Sequence, residues 1–203
     1  MVNNKGWKVL TYNDDVDKLV KKLALAKKFA PEYFDETELW SKLQLIENAE
    51  DWLAPYLSNV KNLQQLKVLN IAKILNDSLD WQLQQKLQAL CPDVYKTPAG
   101  NNRKISYEGD EPKLSVKLQE MFGEPTTPTI CNGQVQLTLE LLSPAKRPLQ
   151  LTKDLANFWQ NAYVEVKKEM KGRYPKHPWP DDPTSFVATH KTKLQLERSQ
   201  NKR

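Results

Sequence analysis

With 203 residues, 39% of them hydrophobic and 27% charged, the chain can bury a core of ordinary size, as one elongated domain or two small ones. No run approaches the 18 or so apolar residues of a membrane-crossing helix, and the N-terminus lacks the charged, apolar and small-residue succession of a secretory signal, so a soluble, cytoplasmic chain with no membrane partner is expected. The net charge of +5 sits at one end: residues 1–164 hold 20 Lys plus Arg against 20 Asp plus Glu, and residues 165–203 hold 10 against 5, which fits an acidic or phosphate-bearing partner and equally a solvated basic tail.

The first half reads as helical. Asn13 can cap a helix that opens with Asp14 and Asp15, where carboxylates favour the helix dipole, and Val16, Leu19, Val20 and Leu23 recur at helical spacing. Lys18, Lys21, Lys22, Lys27 and Lys28 fall on the other face, first of all a hydrated surface and only secondly a nucleic-acid contact. Pro31 stops this helix. Asp35, with Glu38 three residues on, makes a capping-box start for the next, whose inward stripe is Leu39, Trp40, Leu43 and Ile46. Further helices are predicted near residues 48–57, 63–77 and 79–91, the last with Leu79, Leu83, Leu87 and Leu90 on one side and its end before Pro92.

After Pro92 the pattern changes, so a boundary is placed there, between a helical part (1–92) and an α+β domain (93–188), with a disordered basic tail (189–203) beyond. Thr97 to Asn102 is a loop of turn residues, and Lys104 to Tyr107 alternates as a half-buried strand does. Ser115 is read as the cap of a short helix through Phe122, closed by Gly123. Asn132 and Gly133 both tolerate positive φ, as a type I′ hairpin turn requires. Val135, Leu137, Leu139 and Leu141 then face one way, and Gln136, Thr138 and Glu140 the other. Thr152 is predicted to cap a helix of about twenty residues with Leu155, Phe158, Trp159, Ala162, Val166 and Met170 as its stripe and Gly172 as its stop. The architecture expected is α+β: a helical first part, a small, mainly antiparallel sheet covered by the long helix, and an extended proline-rich strap.

Little in the sequence points to catalytic chemistry. None of the six glycines is followed by Lys, so the phosphate cradle of a nucleotide-hydrolysing motor is missing, as is a dinucleotide-binding GxGxxG. The two histidines, His177 and His190, lie beyond the last predicted helix with no GxSxG elbow to serve. Cys91 and Cys131 stand 40 residues apart without a CxxC and read as buried free thiols. No catalytic residue, metal site or cofactor is expected in this chain.

The strap "GRYPKHPWPDDP" (172–183) remains. Lys167, Lys168, Lys171 and Arg173 crowd the end of the long helix, where positive charge is favoured by the dipole in any case. Prolines 175, 178, 180 and 183 hold the backbone extended, while Tyr174 and Trp179 offer flat faces. Two uses fit: the rings clamp the strap onto its own domain, or rings and cations together make a platform for unpaired bases and phosphates.

The segments "DWLAPYL", "TPAGNNRKISY", "LSVKLQEMFGEPTTP", "LELLSPAKRPLQLTKDLANFW" and "KKEMKGRYPKHPWPDDP" resemble the C-terminal region of HrpB-type bacterial ATP-dependent helicases, a DExH-box family, and the likeness runs from about Trp7 to Thr189. In that family two motor domains that bind ATP and move along nucleic acid precede this region, and nothing of them is present here. The resemblance implies an accessory portion of a helicase, part of a longer enzyme or encoded apart from its motor, and not an enzyme by itself. Its implied partners are RNA or another single-stranded nucleic acid and the motor domains, in cis or in trans. One role is to help the motor grip nucleic acid through Arg147, Lys168, Lys171, Arg173, Lys176 and Trp179. The other is a docking module whose first-half helices hold the motor or recruit a protein partner.

Overall fold

The computed structural model describes residue 10 and residues 12–34, 41–189 and 191–200. In it the first helix, α1 (Asp14–Phe29), starts where the Asn13 side chain accepts a hydrogen bond from the Val16 amide at 3.1 Å. Its buried stripe is Val16, Leu19, Leu23 and Ala26, and it ends at Ala30, whose amide still reaches the Ala26 carbonyl, before Pro31. Lys22, expected on the hydrated face, is buried at 6% exposure, because it follows directly on the edge of the apolar stripe.

Helix α2 (Lys42–Glu47) is capped by Ser41, whose hydroxyl accepts from the Gln44 amide. The expected capping box at Asp35 and Glu38, with Leu39 and Trp40, lies outside the described residues. Ile46 is buried as expected, whereas Leu43 is 67% exposed and Leu45 takes the inward place beside Ile46, in a helix whose cap is Ser41. Helices α3 (Ala49–Leu53), α4 (Leu63–Lys67), α5 (Ile71–Ser78) and α6 (Trp81–Leu90) follow. The one helix predicted over 63–77 is two, because Asn70 accepts from the Lys73 amide at 2.9 Å and so caps a new start in mid-run. Asp80 caps α6 in the same way, and Leu79, Leu83, Leu87 and Leu90 are all buried. α1 packs on α5 and α6. These helices lie in the first of two compact units, which divide between Pro92 and Asp93.

The second unit is built on a five-stranded sheet in the order β1 (Val94–Lys96), β2 (Asn102–Ser106), β3 (Lys113–Lys117), β6 (Thr138–Leu142), β7 (Pro148–Thr152). All neighbours run antiparallel except β3 and β6, which are parallel with Leu114 opposite Leu139 and Val116 opposite Leu141. The chain is therefore α+β with a mixed sheet. Ser115, predicted to cap a helix, sits inside β3, and its hydroxyl donates to the Glu140 carboxylate across the ladder. The reason is a period of two: Leu114 and Val116 are buried between Lys113, Ser115 and Lys117. A single 3-10 turn, Leu118–Glu120, follows.

β4 (Thr129–Ile130) and β5 (Val135–Gln136) make the expected hairpin, but its turn is longer than a two-residue I′, with Cys131, Asn132 and Gly133 all at positive φ. Leu137, Leu139 and Leu141 are fully buried beyond it. The long helix, α7, covers residues 155–173 and contains a π-helical turn, Phe158–Ala162. Its cap is Asp154, which accepts from the Asn157 amide at 2.9 Å. Thr152, the predicted cap, closes β7. The wider turn advances the helix register, so Tyr163 is buried where Ala162 was expected. Gly172 lies within the helix, which ends at Arg173. The tail also differs from expectation: Lys193–Gln200 forms helix α8.

Candidate nucleic-acid interface

The strap is positioned by the segment after β3. Gln119 donates from Nε2 to the Pro178 carbonyl at 3.1 Å and accepts at its own carbonyl from the Thr189 amide at 3.0 Å. The Gly123 amide reaches the Pro183 carbonyl at 2.9 Å. Gly123 has φ +79°, and a Cβ there would stand 3.1 Å from the Phe186 carbonyl oxygen, so both backbone and strap require glycine. From α7, Tyr163 donates its hydroxyl to the Pro180 carbonyl at 2.9 Å. Phe122, fully buried, stands with its ring centroid 5.7 Å from Phe186, 6.1 Å from Trp159 and 6.2 Å from Tyr163.

The same segment is fixed from the sheet side. The Glu120 carboxylate is fully buried and takes two hydrogen bonds from the Arg103 guanidinium on β2, the Nε one at 2.7 Å. Tyr95 donates to Glu124 at 3.0 Å, and burial, then the Glu124 charge, pushes that phenol well above its ordinary value. Trp159 donates to the Glu124 carbonyl at 2.8 Å.

Trp179, one of the candidate residues, is 8% exposed and donates its indole N–H to the Tyr174 carbonyl at 3.0 Å. It occupies the clamping position, with no open face for a base. The cations lie outside this clamp. Lys168, Lys171, Arg173 and Lys176 are exposed on the last turns of α7 and the first residues of the strap. Arg173 pairs with Glu169 one turn back at 2.8 Å, and Lys167 with Asp181 of the strap at 2.6 Å. The Lys167 contact, with Lys171 adding to it, holds the Asp181 carboxyl below its ordinary range. Lys168, Lys171 and Lys176 make no salt bridge among the described residues. Arg147 lies on a separate element, the β6–β7 turn, where its amide donates to Ser143 Oγ at 3.0 Å.

Two lysines that sequence reasoning passed over belong to this surface. The Lys193 amide donates to the Lys176 carbonyl at 2.9 Å, which brings the start of α8 to the strap. Its signal was legible: Thr192 and Gln195 form a reciprocal capping box, Thr192 N to Gln195 Oε1 at 2.8 Å and Gln195 N to Thr192 Oγ1 at 3.4 Å. Lys117, at the end of β3, is close enough for its charge to act on His177 of the strap. Among the described residues no group of three or more His, Cys, Asp or Glu could hold a metal ion, and no helix is long and apolar enough to cross a membrane.

Residues 52–183 match the family described as the C-terminal region of ATP-dependent helicases, HrpB_C. The chain is 47% identical over 197 residues to the ATP-dependent RNA helicase HrpB of Escherichia coli, an alignment that takes in 95% of this chain and 24% of that protein. Among solved structures it resembles the E. coli DExH-box NTPase HrpB, with a TM-score of 0.86 and 46% identity over 93% of this chain and 23% of that one. A crystal structure of the E. coli DEAH/RHA helicase HrpB gives 0.73 and 45%, over 88% and 22%. The chain thus spans about a quarter of the length of the relatives it matches.

Proposed function

We propose, for a chain that belongs to the HrpB-type ATP-dependent helicase C-terminal family, that its basic end helps a helicase motor hold single-stranded RNA by the phosphates. The observation that carries this reading is the set of exposed cations that make no salt bridge among the described residues, Lys168, Lys171 and Lys176, set on a helix end and a strap that are fixed in place from both sides. An ammonium without a carboxylate partner gives up little when it meets a phosphate, and a rigid support lowers the entropy cost of ordering it. Arg173 joins them by exchanging Glu169 for phosphate, and Lys193 extends the surface past Lys176. Trp179 acts as a clamp, so the contacts are to backbone and carry no base preference. RNA is the partner because the E. coli relative is named an RNA helicase. The motor, in cis or in trans, supplies the ATP chemistry, and this chain works by contact alone.

Fluorescence anisotropy with a labelled single-stranded RNA tests the reading. Replacing Lys168, Lys171, Arg173 and Lys176 by alanine weakens binding by on the order of a hundredfold near 0.1 M salt when three phosphate contacts are lost. Equal affinity of the two proteins contradicts it.

A second reading rests on the first unit. Tyr33 and Trp81, 45% and 71% exposed, flank a cleft, with the Lys86 ammonium 3.9 Å above the Tyr33 ring. Exposed large side chains in one cleft fit a docking face for the motor or another protein. Binding of this chain to the motor portion of an HrpB-type helicase, abolished by Trp81→Ser, supports it; binding unaffected by that change counts against it.

A further inference from the structure

Among the described residues, one buried side-chain nitrogen or oxygen has no hydrogen-bond partner, and it is Nδ1 of His177 in the strap. The ring sits in a tight loop. The His177 amide donates to the Tyr174 carbonyl at 3.1 Å, and the Trp179 indole donates to that same oxygen at 3.0 Å. Its imidazole stands edge-on to the Tyr174 ring at 6.5 Å between centroids. The next residue, Pro178, is held by Gln119, and the residue before, Lys176, by the Lys193 amide. Of the charged groups around it, Lys117 at the end of β3 acts on the ring, Lys176 is its exposed neighbour in the strap, and no carboxylate among the described residues offsets them.

A neutral imidazole carries its hydrogen on one nitrogen and a lone pair on the other. A lone pair at Nδ1 can stay unmatched at modest cost, whereas a proton there makes a charged donor with no acceptor, beside a second cation. We propose that His177 is a pH-sensitive latch: neutral, it lets the strap seat against Gln119, Gly123 and Tyr163, and protonated, it moves to solvent and unseats that strap. Burial, and after it the Lys117 charge, hold the imidazole below its ordinary 6.5. The released ring therefore takes a proton more readily than the seated one. Seating is at full strength above about pH 6.5 and weakens as pH falls below that value.

The readout is the strap's own amides, so it does not depend on nucleic-acid binding. Hydrogen-exchange protection factors of the whole chain at about pH 7.5 and about pH 5.5, either side of the ordinary histidine range, are read at Gly123, His177, Thr189 and Lys193. The unmodified protein loses protection at the lower pH, with β3 and β6 amides as the unchanged reference. His177→Phe keeps a ring against Tyr174 that cannot titrate, and it retains protection at both values. Protection that persists at the lower pH in the unmodified protein, or an equal loss in His177→Phe, overturns the proposal. Should His177→Phe fail to fold, the imidazole titration of the unmodified protein decides: the proposal expects a midpoint below the ordinary value that coincides with the loss of protection. A titration at the ordinary value with the strap still protected overturns it.

Discussion

Among the described residues of the first unit, five of the six α-helices carry their own side-chain cap within three residues: Asn13, Ser41, Asn62, Asn70 and Asp80 for α1, α2, α4, α5 and α6. In the second, the contacts that matter most join distant parts of the chain: Gln119 to Pro178 across 59 residues, Trp159 to Glu124 across 35 and Arg103 to Glu120 across 17. Local caps make helices almost wherever they fall, and they leave Trp81, Val68 and Leu43 outward. Long-range bonds do something else, in that they convert a proline-rich segment with no regular structure into a fixed support for charge. That is why the proposed grip is assigned to the second unit and the docking face to the first.

The largest expected effect attacks the junction of those long-range contacts. Phe122→Ala removes a fully buried ring that touches Trp159, Tyr163 and Phe186, and urea unfolding should show a loss of about 3–5 kcal/mol. A loss under about 1 kcal/mol would mean that the strap is not held by this aromatic cluster. Next in size is a matched pair of caps: Asp80→Ala in the first unit and Asp154→Ala in the second each cost about 1 kcal/mol. If the comparison is right, the Asp80 change is felt by α6 amides alone, while the Asp154 change also lowers exchange protection at Trp159 and Tyr163, which carry the bonds to Glu124 and Pro180.

The smallest effect concerns the end of the strap. Asp182 is held down to about 2 by the Ser185 hydroxyl, then by the hydroxyl and amide of Thr184. A carboxylate depressed in the folded chain contributes stability that is complete above its ordinary value of 3.8 and is lost as pH falls through about 2. The 183–185 turn should therefore survive at about pH 4. A carboxyl carbon titration by NMR that places Asp182 at 3.8 would show that these hydrogen bonds are not made.

The same contrast explains what the sequence discloses. The Asn13 cap and the Leu79, Leu83, Leu87, Leu90 stripe are legible because cap and periodicity are local signals. The alternation that buries Leu137, Leu139 and Leu141 is local too, whereas Gly123, expected to close a helix, takes its left-handed φ after a 3-10 turn. Ser115 lies in a strand and not at a cap because Leu114 and Val116 alternate around it and β6 pairs with that alternation, whereas a serine before an apolar run signals a cap as well. The π turn that exchanges Ala162 for Tyr163 has no local pattern of its own. Helix α8 did have one, in Thr192 and Gln195, and a polar, basic composition hid it. At the candidate site, the excess of charge was visible as a count. Which cations are committed was not, since Lys167 finds Asp181 fourteen residues further on, in the strap.

In the proposed function the basic end meets phosphate while residues 1–164 carry no net charge, and the salt dependence of binding to single-stranded RNA separates that role from a merely hydrated tail. Log affinity should fall linearly with log salt, with a slope that drops by about 0.7 for each of Lys168, Lys171, Arg173 and Lys176 that touches a phosphate when it is replaced by alanine. A slope unchanged by all four replacements, or no detectable binding at low salt, would contradict it.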